Sequence, residues 1–338
     1  ISFLPLLVIS QDYLWPTNAT KLLSSSFCEF RPRHYHAAID IKTWNRTGYR
    51  IFAIEDGYIM RVRTSAFGYG KAIYLKLKDG NIAVYAHLSK FDPELDAYVL
   101  SKQKSSQSYY QDIHLTSDKF PVKRGQVIGY TGRSGIGYPH LHFEIRNSNN
   151  EPINPMQFYL NEVQDTYPPR LYEVAFIPMD YTSIINQKAD TFFFDLGRQH
   201  SYSLPDTLLF SGKIGLAMKS YDQANGARNQ YSFYTSRMWI DDSLVYSVQY
   251  DEFSYGQTAK IELDKNFSLW RKGEGIFHNY YRHPRNKLPH YGTTEANGGI
   301  IDTDRLRDGI HHLKIEILDY HQNQATFNML FMSGRSLP

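Results

Sequence analysis

The sequence has only one cysteine, Cys28, among 338 residues. A single cysteine cannot form a disulfide within the chain, so a small scaffold held together by disulfides is excluded. The residue before it is Phe27 rather than a small residue, which argues against a lipid anchor at this position. We therefore expect Cys28 to be a buried, unreactive thiol.

An excess of charge of one sign is also missing. Lys and Arg total 37, Asp and Glu total 34, and the formal net charge is only +3. There is no run of five or more like charges that would form a basic tail. The sequence therefore predicts no nucleic-acid partner.

Long apolar runs are absent as well, apart from residues 1–10, which are too few to span a bilayer. Val8 and Ser10 match the small-residue positions before a signal cleavage site, with Gln11 starting the mature chain. We predict a residual signal peptide at residues 1–10, no transmembrane segment, and an exported protein in the periplasm, the cell envelope or outside the cell. The alternative is that these residues form a buried N-terminal strand.

Aromatic residues, by contrast, are abundant, with 27 Tyr and 20 Phe, and this composition favours β structure. The length suggests two domains at roughly 150 residues each. Pro168 and Pro169 lack amide donors and interrupt any strand or helix near them. We predict a mostly β chain with one domain at 11–163 and a second at 164–338.

Local sequence patterns predict the secondary structure of each domain. Asp79-Gly80 indicates a β-hairpin in the first domain. Asp92, Pro93 and Glu94 form a typical helix start, so we predict an insertion at 92–120 with a short helix followed by a polar loop at 102–110. Repeated short strands after residue 170 predict an Ig-like β-sandwich, interrupted by an irregular excursion at 265–300.

Two histidines in PHLHFEI carry the strongest chemical signal. They alternate with apolar residues, so the segment is predicted to be a strand with His140, His142 and Glu144 on one face. His36 and Asp40 stand four residues apart in HAAID. Two imidazoles and one carboxylate are ligand types of a catalytic zinc site, which leaves a fourth position open for water.

A proton acceptor is also needed beside such a site. The sequence contains no HExxH motif, so a helical glutamate base is excluded. His87 in YAHL and His140 are the natural candidates, since imidazole titrates near neutral pH. His34 is a rival to His36, and Glu144 is expected to support the site rather than bind metal.

The ordered motifs HxxxD, YAHL, VKRGQVIGYTGRSGIGYPHLHFEI and INP resemble those of the lysostaphin-like (LytM-type) family of peptidoglycan zinc metalloendopeptidases. The resemblance covers about residues 29–159. It implies a small antiparallel β-sheet domain of the duplicated hybrid motif type, whose groove receives extended peptides. It further implies Zn²⁺ as a cofactor, with metal ligands His36, Asp40 and His142 and catalytic residues His87 and His140.

The resemblance also implies a reaction, namely hydrolysis of the stem or bridge peptides of peptidoglycan by metal-activated water. One departure is Ala38, where the family has glycine, and a positive φ there would be strained. Two other functions remain open: a catalytically inactive activator or scaffold of other wall hydrolases, and an endopeptidase of secreted glycine-rich proteins. The C-terminal domain is expected to bind the wall or another protein.

Overall fold

A computed structural model of the chain describes residues 12–204, 206–292 and 298–334. The predicted signal peptide at residues 1–10 lies outside them. The chain forms two compact units. The first comprises the residues up to Ser26 and Ala37–Gln164, and the second comprises Phe27–His36 and the residues from Asp165 onward. None of the described helices has the length and apolar character needed to cross a membrane.

The first part of the chain is mostly antiparallel β structure, as predicted. Its elements are, in chain order, β1 (Leu23–Ser25), β2 (Phe30–Arg31), β3 (His34–Tyr35), β4 (Ile39–Lys42), β5 (Arg50–Phe52), β6 (Gly57–Thr64), β7 (Ala72–Leu77), β8 (Ile82–Ala86), β9 (Lys90–Phe91), α1 (Pro93–Ser106), β10 (Gln111–His114), β11 (Pro121–Val122), β12 (Val127–Tyr130), β13 (His140–Arg146), β14 (Pro152–Ile153) and α2 (Met156–Tyr159). Strands β2 and β3 belong to the second unit.

Two sheets build the first unit. The larger one has the order β1-β4-β13-β8-β7-β6-β10, with β11 beside β6 and β14 beside β13, and the smaller one has the order β5-β12-β9. Strand β13 lies in the interior of the large sheet, where Leu141, Phe143 and Ile145 are fully buried on one face. Their ladder partners in β4 and β8 include Ile41 and Tyr85, which are also fully buried. The alternation read from the sequence therefore holds, and the opposite face of β13 carries the polar residues.

The predicted hairpin at Asp79-Gly80 is confirmed, because β7 and β8 pair antiparallel across it. Gly80 has a φ of +94°, a conformation that glycine adopts without strain. This hairpin ends in β8, so it determines where the chain leaves the sheet at His87.

The predicted helix start is also confirmed. The Asp92 carboxylate accepts hydrogen bonds from the backbone N–H groups of Glu94 and Leu95, and Pro93 is the first helical residue. The predicted polar loop at 102–110 is wrong in its first part, because α1 continues to Ser106. Residues 102–106 contain no Pro or Gly, and Gln107, with a left-handed φ of 49°, ends the helix.

The second unit is a two-sheet β structure. Its elements after residue 165 are β15 (Arg170–Pro178), β16 (Ile184–Ile185), β17 (Phe192–Gln199), β18 (Ser201–Ser203), β19 (Leu208–Ser211), β20 (Lys213–Tyr221), β21 (Thr235–Ile240), β22 (Ser243–Gln249), a 3₁₀ helix (Tyr255–Lys260), α3 (Ile261–Asp264), α4 (Phe267–Arg271), β23 (His278–Asn279), β24 (Ile301–Asp302), a second 3₁₀ helix (Thr303–Arg305), β25 (Gly309–Leu318) and β26 (Gln324–Ser333). One sheet has the order β17-β15-β20-β23 with β24 beside β20, and the other has the order β16-β19-β26-β25-β21-β22 with β18 beside β26.

The two sheets of the second unit face each other, as a sandwich requires. The rings of Phe176 in β15 and Phe210 in β19, both fully buried, lie 5.3 Å apart between their centroids. Across the same interior, the Tyr246 hydroxyl in β22 donates to the Asn279 carbonyl oxygen at 3.0 Å. The second sheet is mixed rather than purely antiparallel, since β18 and β19 run parallel to β26.

Glycines in the segment before β13 allow a second stretch of backbone to come close. A Cβ added at Gly132 would lie 2.3 Å from the Ser89 backbone nitrogen, whereas one added at Gly137 would meet nothing within 4 Å.

We predict that Gly132→Ala lowers the free energy of unfolding by about 1–3 kcal/mol, because the backbone at Ser89 must move. The matched variant Gly137→Ala should stay within about 0.5 kcal/mol of wild type in urea unfolding. Equal stabilities of the two variants would contradict the close approach.

Candidate metal centre

The site is built on the antiparallel register of β13 with its two neighbours. His142 stands opposite Asp40 of β4 and opposite Ala86 of β8. Because paired residues project to the same face of a sheet, the Asp40 and His142 side chains meet, with Oδ1 and Nδ1 3.0 Å apart. His87 directly follows Ala86, which places its imidazole beside the same two groups.

His36 directly follows the hairpin formed by β2 and β3. Its backbone is held at the base of that hairpin, with hydrogen bonds between the Cys28 N–H and the His36 oxygen (2.8 Å) and between the His36 N–H and the Glu29 oxygen (2.9 Å). The rival His34 is exposed, and its Nδ1 donates to the Pro32 oxygen at 3.0 Å. Ala38 is buried and is not among the described residues with positive φ, so its methyl group causes no such strain.

All five predicted site residues come together. One ligand atom from each of His36, Asp40 and His142 lies within 4.8 Å of the others, and so do those of His87, His140 and His142. Four of the five side chains are buried, and His140 is half-buried. The two groups share His142, so the imidazole of this residue is the centre of the cluster.

The His142 ring is held between two carboxylates. Nδ1 faces Asp40, and Nε2 donates to Glu144 Oε1 at 2.9 Å. Burial alone would lower the pKa of His142, but the hydrogen bonds to Asp40 and Glu144 outweigh it and raise the pKa to about 9. Because Nε2 donates to Glu144, Nδ1 is the nitrogen that would bind a metal on the Asp40 side, once the metal has displaced its proton.

Glu144 is fully buried, so its charge needs compensation. Arg146, which is two residues further along the same face of β13, donates to Glu144 Oε2 at 2.6 Å from Nε. Burial alone would raise the pKa of Glu144, but the Arg146 charge and the hydrogen bond from His142 hold it well below its usual range. The Tyr69 hydroxyl also donates to this carboxylate, and the Tyr69 ring lies 5.2 Å from the His142 ring.

Sequence reasoning identified Glu144 as a supporting residue but missed both of its partners. The alternation of β13 could have found Arg146, because residues 142, 144 and 146 share one face. No sequence signal pointed to Tyr69, which lies in the loop between β6 and β7 and is placed by tertiary folding alone.

His87 and His140 are oriented by backbone carbonyl groups. His87 Nδ1 donates to the Ser134 oxygen at 3.0 Å, and His140 Nδ1 donates to the Tyr138 oxygen at 3.1 Å. The Nε2 atom of each ring is then the one that carries a lone pair, and the two ring centroids are 4.9 Å apart. Burial, and then the neighbouring imidazoles, lower the pKa of His87 to about 3, so this ring is neutral near pH 7.

The donor set fits a zinc ion chemically. Three ligand atoms, two nitrogens and one carboxylate oxygen, are gathered within 4.8 Å of one another, and zinc takes such mixed N and O sets in catalytic sites. His142 Nε2, the nitrogen on the far side from Asp40, donates to Glu144. Metal-binding imidazoles usually make such a hydrogen bond with their second nitrogen. The three-histidine group is a second possible ligand set, and it too uses His142.

Comparison with known proteins gives a family match within the first unit. Residues 95–155 match the sequence profile of Peptidase family M23. A DD-carboxypeptidase/endopeptidase Mpg of Neisseria meningitidis serogroup B is 31% identical over 126 residues, which is 37% of this chain and 23% of that protein. The chain thus matches about a quarter of the length of the curated relatives that it resembles. The profile match contains His140 and His142 but not His36, Asp40 or His87.

Solved structures with partial similarity include the catalytic domain of a variant of the prophage-encoded M23 protein EnpA from Enterococcus faecalis. That domain is 27% identical, with a TM-score of 0.26, over 36% of this chain and 76% of the other. The catalytic domain of lysostaphin from Staphylococcus simulans is 24% identical, with a TM-score of 0.28, over 39% of this chain and 87% of the other. These TM-scores are low, so the sequence match carries the assignment. The match over residues 95–155 and the curated relatives support the similarity of the first unit to the LytM-type, lysostaphin-like peptidases that the motifs indicated.

The Glu144–Arg146 pair gives a prediction about stability. In Arg146→Met, the fully buried Glu144 keeps its charge but loses its main partner, so we expect the free energy of unfolding to fall by about 3–5 kcal/mol. Arg61→Met is a matched control, because the Arg61 and Arg146 guanidinium groups lie 4.7 and 5.4 Å from the ring of the same residue, Tyr74. Arg61 pairs with the partly exposed Asp112, so its loss should cost about 1 kcal/mol or less. Urea unfolding of both variants tests this difference, and similar losses would contradict it.

Proposed function

We propose that this protein is a zinc metalloendopeptidase that hydrolyses peptide cross-links of bacterial peptidoglycan. The observation that carries the proposal is the cluster of His36, Asp40 and His142, whose ligand atoms lie within 4.8 Å of one another beside two further histidines. A catalytic zinc site needs three such ligands and a neighbouring proton acceptor, and this cluster supplies both.

Bound zinc would supply Lewis-acid activation of a peptide carbonyl and of the attacking water. The chain's own residues do the rest. His87 is neutral near pH 7 and, with Nδ1 donating to the Ser134 carbonyl oxygen, presents its Nε2 lone pair as a proton acceptor. His140 is oriented in the same way, so the pair can take a proton from water and return it to the leaving amine. Glu144 and Arg146 hold the His142 ring in place.

The substrate class follows from family and relatives. The curated relatives are named DD-carboxypeptidase/endopeptidase, and they match this chain over 126 residues. We extend this activity to the present chain as part of the proposal, with stem or bridge peptides as substrates and the cell envelope as the place of action. The second unit would then bind the wall or another protein.

The two rival functions are less well supported. An inactive activator would be expected to lack at least one of the ligands or catalytic histidines, whereas all five are present and close together here. An endopeptidase of glycine-rich secreted proteins would use the same chemistry, so only the substrate distinguishes it.

The main test combines zinc content with hydrolysis. We expect the wild-type protein to hold about one zinc per chain and to release peptide fragments from defined peptidoglycans, identified by mass spectrometry. His140→Ala should retain zinc but lose activity about 10²–10⁴-fold, because it removes a proton-transfer group. The matched control His34→Ala changes an exposed imidazole outside both groups and should keep both properties. Stoichiometric zinc without hydrolysis of any wall preparation would favour the activator, and cleavage of only a glycine-rich protein would favour the third function.

A second test distinguishes the two possible ligand sets. If His36, Asp40 and His142 hold the metal, His36→Ala should weaken zinc binding at least about 100-fold, while His87→Ala should leave zinc binding nearly unchanged. Competition with a chromophoric chelator measures both affinities. Loss of zinc in His87→Ala, with retention in His36→Ala, would show instead that His87, His140 and His142 bind the metal.

A further inference from the structure

A second cluster of potential ligands lies in the second unit. Asp165 precedes β15, Asp222 follows the last residue of β20, and Asp319 follows the last residue of β25. The pairing of Arg170 with Tyr221 brings the first two segments together. One carboxylate oxygen of each residue lies within 4.8 Å of the other two.

The cluster is strongly buried for a group of like charges. The Asp222 residue is 5% exposed and Asp319 is 1% exposed, while Asp165 is half-buried. Burial, and then the charges of Asp165 and Asp319, raise the pKa of Asp222 well above its usual range. Burial, with the Asp319 charge as a further contribution, raises the pKa of Asp165 to about 7. Without a cation, this arrangement opposes ionisation of its own members.

The hydrogen bonds around the cluster are uneven. Asp319 accepts from the Asn323 backbone N–H at 2.9 Å and from the Asn323 side-chain amide at 2.6 Å. Asp165 Oδ1 accepts from the Tyr167 backbone N–H at 3.0 Å. Asp222 Oδ1, in contrast, is buried and has no hydrogen-bond donor among the residues that the structure describes. A buried carboxylate oxygen without a donor usually has an ion or an unseen water as its partner.

The cationic side chains in the described part of the chain do not compensate the charge of these carboxylates. In the described part of the chain, no Lys or Arg side chain forms an ion pair with any of the three carboxylates. The His321 imidazole lowers the pKa of Asp165 and Asp319. The buried Asp222 carboxylate, whose Oδ1 has no hydrogen-bond donor in the described part of the chain, therefore lies beside two other carboxylates.

We propose that Asp165, Asp222 and Asp319 bind a divalent metal ion of the calcium type. All three ligands are carboxylates, and hard cations such as Ca²⁺ prefer oxygen ligands, whereas zinc and other transition metals prefer sites with nitrogen or sulfur. Ca²⁺ also tolerates the irregular geometry of ligands from three separate loops better than Mg²⁺ does. This site is separate from the histidine cluster and does not depend on the proposed peptidase activity.

The bound ion would join three segments that are distant in sequence. They are the stretch before β15, the end of β20 and the turn between β25 and β26. These segments lie at strand ends, where backbone hydrogen bonding of the two sheets stops. Ion binding therefore stabilises the second unit against unfolding, since it occurs only when all three segments are in place.

The test is thermal unfolding of the full chain during titration with CaCl₂ or MgCl₂ up to about 10 mM. We expect Ca²⁺ to raise the melting temperature by about 5 °C or more at saturation, and Mg²⁺ to raise it less. Asp222→Asn keeps the shape but removes one charge, so most of the Ca²⁺ shift should disappear. Without Ca²⁺, the same variant should melt at or above the wild-type temperature, because repulsion is reduced. Asp242→Asn, at an exposed turn of the same unit, should keep the full shift.

Repeating the titration in His142→Ala separates this site from the histidine cluster, and the Ca²⁺ shift should persist there. If Asp222→Asn does not fold, Asp165→Asn at the half-buried position provides the same comparison. The proposal is overturned if Ca²⁺ and Mg²⁺ leave the wild-type melting temperature unchanged, in which case the carboxylates share protons. It is also overturned if the shift is equally large in the Asp→Asn variants, since the ion would then bind elsewhere.

Discussion

The register between β4 and β13 is the constraint on which the site depends. His142 pairs with Asp40, and a slip of one residue would turn the imidazole into the apolar core and bring Leu141 or Phe143 to the polar face. The buried apolar residues on the other side of β13 prevent such a slip, because each slip exposes them. Hydrophobic packing on one face of the sheet therefore sets the positions of Asp40 and His142, two of the proposed ligands, on the opposite face.

A chain of alternating charge then fixes the orientation of the central imidazole. Arg146 compensates Glu144, Glu144 accepts from His142, and His142 faces Asp40. Each member is largely withdrawn from water, so each interaction is stronger than it would be at the surface. The same burial means that removing one of these residues leaves its neighbour as a buried charge without a partner. Loss of Arg146, which is not in either proposed ligand set, is therefore expected to disturb His142 through Glu144.

Local patterns in the sequence predicted a large part of this arrangement. The alternation of apolar and polar residues predicted β13 and its two faces. The Asp79-Gly80 pair predicted the hairpin before His87, and Asp92 predicted the start of α1. The predicted end of α1 was wrong, because the polar residues at 102–106 are as compatible with a helix as with a loop. Tyr69 and the Ser134 carbonyl could not be predicted, since long-range folding alone brings these loop groups to the site.

His87 has a backbone conformation that has consequences for how the domain can change. Its φ of +63° lies in the left-handed region, which disfavours residues with a Cβ by about 1 kcal/mol or more. Glycine at this position would relax the backbone and at the same time remove the imidazole. The strained backbone at this position is therefore the condition for presenting the imidazole that we propose as a proton acceptor. A single change to glycine would thus be compatible with the fold of this segment and would still remove the proposed chemistry.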